Sequence, residues 1–144
     1  MKKIRSFVLI VCMMLNFSAC SMNKQINIEH YDWELSVIQS SETGDVLYCS
    51  EEMKEVHSDA EVLSLSCSID EECIILSDDD SKWNIKYTEI ERTAESIIYE
   101  VEYDEIGHVY VGNAVVSITK YSDESTEHTL NISLGEYALQ FVAE

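Results

Sequence analysis

The chain has 144 residues, with 28 acidic side chains against nine basic ones and a formal net charge of −19. So few bases cannot displace counterions from phosphates, which excludes nucleic acid as a partner. The length fits one domain with a real core, and the composition holds five cysteines, four glycines and no proline.

The first element is an export signal. Lys2, Lys3 and Arg5 precede the apolar run Phe7–Leu15, and small Ser18 and Ala19 follow it. The run is about half of the ~20 residues that cross a bilayer, so residues 1–19 read as a signal helix that is cut away. Phe17-Ser18-Ala19-Cys20 resembles the lipobox of bacterial lipoproteins. That resemblance implies a diacylated Cys20 as the first mature residue. Two acyl chains hold firmly, at about 0.8 kcal/mol per buried CH₂, where one holds marginally. The expected address is the outer, extracytoplasmic face of the cell membrane, reached through acylated Cys20. Without residues 1–19, six bases face all 28 acids, a formal charge of −22. Such a domain stands off an anionic leaflet and attracts cations or basic partners.

Residues 20–31 form a short tether, and the folded domain is expected over residues 32–144. From residue 33 onward the hydrophobic period is two. Strand patterns occur at 33–39, 45–50, 61–69, 73–77, 82–91, 96–104, 108–121, 128–134 and 137–143. In 61–69, Leu63, Leu65, Cys67 and Ile69 share one face against Ser64, Ser66 and Ser68. In 82–91, Trp83, Ile85 and Tyr87 fall together. Gly112 interrupts the longest run, where a bend or bulge is expected. Residues 50–61, "SEEMKEVHSDAE", read equally as a helix with Met53, Val56, His57 and Ala60 on one face or as a charged loop. Eight or nine short strands joined by tight turns predict an all-β fold, an antiparallel up-and-down meander barrel preceded by the signal helix.

Three cysteines remain after Cys12 is removed and Cys20 acylated: Cys49, Cys67 and Cys73. Cys67 and Cys73 bracket a turn. A hairpin register centred on Asp70 places them face to face for a disulfide, and one centred on Glu71 separates them.

The stretches "WELSVIQSSETGDVLYCS" (33–50), "SKWNIKY" (81–87), "SIIYEVEYDEIGHVYVGNAVVSITKY" (96–121) and "TLNISLGEYALQFVAE" (129–144) resemble small lipoproteins of Gram-positive gut bacteria. In these a lipobox precedes a lipocalin-like all-β domain. Trp33 is similar to the first-strand tryptophan of lipocalins. The resemblance implies a fold and an address, and carries no catalytic signature.

Motifs for chemistry are few. The acidic turn "SDDDS" (77–81) lacks EF-hand spacing and reads as a solvated turn. His30, His57, His108 and His128 have no partner at metal-motif spacing and read as surface residues. No metal site, cofactor or catalytic residue is expected. The aromatic residues Trp83, Tyr87, Tyr99, Tyr103, Tyr110, Tyr121, Tyr137 and Phe141 recur on successive strands. Among them Trp83, Tyr87, Tyr99, Tyr103, Tyr137 and Phe141 are the candidate lining of a ligand pocket, although strands this short favour a filled interior. The expected function is a non-catalytic, lipid-anchored binding or interaction module. The alternatives are an inhibitor or immunity protein masking a cationic secreted protein such as a lysozyme or bacteriocin, and a carrier of a small apolar ligand. Replacing Cys20 by Ala is expected to abolish labelling by radioactive palmitate and to free the protein from the membrane fraction; undiminished labelling would refute the anchor.

Overall fold

The computed structural model describes residues 28–143. The signal helix and Cys20 lie outside the described residues. A 3-10 turn (Ile28–His30) leads into β1 (Trp33–Ser40), β2 (Val46–Cys49), β3 (Glu61–Val62), β4 (Ser66–Ile69) and β5 (Cys73–Ser77). There follow β6 (Lys82–Arg92), β7 (Ser96–Glu105), β8 (His108–Lys120), β9 (Thr126–Leu134) and β10 (Tyr137–Ala143). From β4 to β10 each strand pairs antiparallel with the next, and β10 pairs back with β1, which pairs with β4. The result is a closed, eight-stranded up-and-down barrel with β2 and β3 as additions. Closure removes the free edges that a proline-free sheet would otherwise expose.

The expected strand at 61–69 is one face but two elements. β3 pairs parallel with β2, through Tyr48↔Glu61 and Cys49↔Val62, before the chain reaches β4 beside Trp33 and Glu34 of β1. Leu63 N–H to Cys49 C=O, at 2.9 Å, continues the β2 contact past β3. One edge of β1 belongs to β10 from Glu34 to Ser40, so its other edge is divided between β4 near Trp33 and β2 from Val37 to Gln39. β2 therefore wedges between β1 and the segment entering β4. It splays the wall at one end of the barrel.

A bulge in β1 between Leu35 and Val37 sets which side chains face inward. Trp33, Leu35 and Ile38 join the main core, whereas Val37 turns outward. There Val37, Cys49 and Ala60 form a small outer core with Val46 and Met53 against it. Residues 51–56 are consecutive turns, so the helix reading of 50–61 gives way to the loop. Lys54 Nζ holds this loop by donating to the carbonyls of Ser58 (2.8 Å) and Ala60 (2.6 Å), which rewards a turn over a helix. Val56, on the expected apolar face, is exposed.

Gly112 marks a close approach rather than a bulge. The β7–β8 register runs through Val101↔Gly112 without a shift. A Cβ at Gly112 would lie 1.9 Å from the Ser133 carbonyl oxygen, where β9 begins to pair with β8.

Of the two arrangements open to the 67–73 hairpin, the structure has the one that separates Cys67 from Cys73. Ile69 pairs with Ile74 and Cys67 with Leu76, so the hairpin centres between Glu71 and Glu72. Asp70 enforces this register: its Oδ1 accepts the Glu72 and Cys73 N–H groups at 2.9 and 2.7 Å. Cys67 faces the core beside Ile69, while Cys73 lies on the opposite face from Ile74, and Cys49, Cys67 and Cys73 are all free thiols. Burial pushes the Cys67 thiol up to about 12. Alkylation of the folded protein at mildly alkaline pH should therefore modify Cys73 first, with Cys49 and Cys67 reacting only on unfolding; loss of two thiols to a bridge in peptide mapping would contradict the register. Gly112→Ala should lower stability by about 1–3 kcal/mol in urea denaturation.

Candidate functional site

In a meander, alternate hairpin turns lie at the same end of the barrel. One end carries the turns at 70–72, 93–95 and 121–125, and the other those at 41–45, 78–81, 106–107 and 135–136. The two ends differ in packing.

The first end is closed. Tyr31 lies across it, edge-on to Trp33 with ring centroids 5.6 Å apart and tilted over His128 at 4.3 Å. The Tyr31 hydroxyl and His128 Nε2 share a hydrogen bond of 3.0 Å. Ile28 of the 3-10 turn is buried in the same core. His128 is thus a core residue and not the surface residue that its isolation in sequence suggests. On the other side of this end, a bulge between Glu89 and Glu91 brings Glu89 and Arg92 to one face, where they form an ion pair of 2.6 Å. That hydrogen bond holds the Glu89 carboxyl below its ordinary range. Tyr99 packs edge-on to Tyr87 at 5.0 Å, and burial pushes its phenol up to about 12. Between these groups the interior is filled by Ile97, Val101, Val116, Leu130 and Phe141, with small Ala114 opposite Tyr99.

The second end is open. A cavity of about 480 Å³ enters the barrel here, within the range of small-molecule sites. Its floor is aliphatic, including Ile38, Leu65, Leu76, Ile85 and Ile132. Its wall is aromatic: Tyr48, Trp83, Tyr103, Tyr110 and Tyr137. The expectation of a filled interior holds at one end only. The physical cause is the β2 wedge, which adds Tyr48 to the circumference and sets Leu63 and Leu65 away from β1.

Of the six aromatic residues expected to line a pocket, Trp83, Tyr103 and Tyr137 do so. Tyr87, Tyr99 and Phe141 do not. Tyr99 and Phe141 are buried in the packed end, and Tyr87 donates its hydroxyl to the Asp70 carbonyl at that same end. All six point the expected way, and height along the barrel separates them. Tyr48, Leu63 and Leu65 are lining residues that periodicity alone did not bring together, because the wedge is a tertiary feature. Three carboxylates, Asp78, Glu105 and Glu136, also line the cavity, each beside a turn of the open end. Asp78 accepts the Asp80 and Ser81 N–H groups at 2.9 and 2.6 Å, so the acidic turn at 77–81 organises itself through its own backbone.

Among the described residues, no group of three His, Cys, Asp or Glu side chains comes together to hold a metal. Comparison with protein-family models, with curated proteins and with solved structures finds no match to this chain.

Truncation should expose the difference between the two ends. Phe141→Ala is expected to cost about 3–5 kcal/mol in urea denaturation, and Tyr137→Ala, at the open mouth, under about 1 kcal/mol. Equal losses would contradict a barrel packed at one end only.

Proposed function

We propose that this chain is a lipid-anchored, extracytoplasmic binding module, without catalysis, that takes a small apolar ligand into the open end of its barrel. The observation that carries the reading is the cavity of about 480 Å³ with an aliphatic floor and an aromatic wall. A barrel that served only as a soluble spacer gains nothing from leaving this end unfilled, since each methyl-sized void costs about 1 kcal/mol.

The address and the cup fit one geometry. The described chain enters at Ile28, against the closed end. Eight residues from Cys20 to Ile28 span at most about 29 Å when fully extended. An acylated Cys20 therefore holds the closed end near the membrane and turns the mouth outward, toward ligands arriving from outside.

A second reading, capture of a basic secreted protein, is favoured by the mature charge and by the β7–β8 hairpin. That hairpin carries exposed Ile106, Val109 and Val111. Retention of lysozyme by the protein in low salt, with loss in high salt, would support this reading.

The cup itself is tested with N-phenyl-1-naphthylamine, a neutral dye that brightens in apolar sites. The full chain carrying Cys20→Ser, which removes competing acyl chains, should bind it saturably. Leu139→Trp fills the cavity with an indole and should weaken binding at least about tenfold with the far-ultraviolet circular dichroism unchanged. Undiminished binding to that variant would place the dye elsewhere and overturn the reading.

A further inference from the structure

The chemistry of the cavity wall is one-sided. Its charged lining residues are Asp78, Glu105 and Glu136, and among the described residues no lysine, arginine or histidine lines it; His108 sits behind the wall, edge-on to Tyr110 at 4.5 Å. Lys82, at the start of β6, is exposed and sits one residue before the inward-facing Trp83, so the strand alternation turns it to the outer face. Aromatic rings complete the wall. Ring faces carry negative electrostatic potential, and they attract a cation and repel an anion held over them. Carboxylates and ring faces therefore act with the same sign on anything that enters.

The acids are not spread at random around this end. Glu105 ends β7 and Glu136 lies in the β9–β10 turn, while Asp78 begins the β5–β6 turn. They stand on three separate turns of the same mouth, above a floor with no charge. An apolar body seated on Ile85 and Ile132 would carry its polar head to this level. A carboxylate or sulfate head would meet three like charges at the rim of the cavity. An ammonium head would meet three opposite charges and a set of ring faces.

We infer that the cup selects organic cations, molecules with an apolar alkyl or aromatic body and an amine or quaternary ammonium head, and rejects fatty acids and other anionic amphiphiles. This inference rests on the binding-cup reading above and adds the sign of the ligand to it. The Asp78, Glu105 and Glu136 carboxylates supply the charge, and Trp83, Tyr103, Tyr110 and Tyr137 supply the aromatic rings beside them. The whole-molecule charge works in the same direction, by concentrating cations at the surface before they reach the mouth.

The test uses three probes with the same dodecyl tail, below their micelle concentrations: dodecyltrimethylammonium, dodecyl maltoside and dodecyl sulfate. Each competes with N-phenyl-1-naphthylamine on the full chain carrying Cys20→Ser. The expected order is cation, then neutral, then anion, with the cation at least about tenfold tighter than the anion. The triple variant Asp78→Asn, Glu105→Gln, Glu136→Gln should lose that preference. Asn keeps the side-chain oxygen that the 78–81 turn requires. The control triple Glu51→Gln, Glu52→Gln, Glu55→Gln, on the exposed 50–60 loop, makes the same change in net charge and should keep the preference. Equal competition by all three probes, or equal effects of the two triples, would overturn the sign preference and leave the cup standing. Failure of the dye itself to bind would overturn the cup, and the sign preference with it.

Discussion

Strand β1 gives one edge to β10 along almost its whole length and divides the other between two partners. Glu34 through Ser40 follow β10, which closes the barrel. Trp33 and Glu34 meet β4, while Val37 to Gln39 meet β2. At the level of Trp33 the ring is therefore complete with eight strands. At the level of Ile38 it must also accommodate β2 and the segment that carries Leu63 and Leu65 into β4. A wider ring with side chains of the same size cannot fill its own interior, and the aliphatic and aromatic residues there are left around a cavity. The β1 bulge belongs to the same arrangement. It turns Val37 outward to meet Cys49 and Ala60, so the wedge is anchored by a small core of its own outside the barrel.

The two ends of the barrel follow different chemistry because of this asymmetry. At the closed end several polar groups pair with one another, Tyr31 with His128, Glu89 with Arg92 and Tyr87 with the Asp70 carbonyl, while the buried Trp33 Nε1 and His128 Nδ1 have no hydrogen-bond partner among the described residues. At the open end the acids have no basic partner among the described residues of the cavity wall, and none is required while water reaches them.

Much of the fold was legible in the residues. Alternation of Ile97, Tyr99, Val101 and Tyr103 against Glu100 and Glu102 marks both β7 and its inward face, and the structure buries that face as expected. The up-and-down order was legible because the turns are short and the strands sequential. The wedge was not legible. Residues 63–69 alternate without a break, and although Glu61 and Val62 fall off that alternation, nothing in the pattern names β2 as their partner while Ser66 onward pairs with β1 and β5. The register of the 70–72 turn was decided by one side-chain oxygen of Asp70, which shifts Cys73 out of line with Cys67. His128 looked isolated because its partner, Tyr31, is 97 residues away in sequence. The lining was half legible: parity gave the inward side chains, and only position relative to the turns separates Trp83, Tyr103 and Tyr137 from Tyr99 and Phe141. Tyr110, in sequence next to the 106–107 turn, could have been placed by that same rule.

Methyl-resolved nuclear magnetic resonance of the protein during titration with an aromatic amine tests the central claim most directly. The account predicts shifts confined to Ile38, Leu63, Leu65, Leu76, Ile85, Ile132, Leu134 and Leu139, with Ile97, Val116 and Leu130 at the packed end unmoved. Shifts centred on the packed end or on the outer core around Val37 would contradict a barrel that is open at one end.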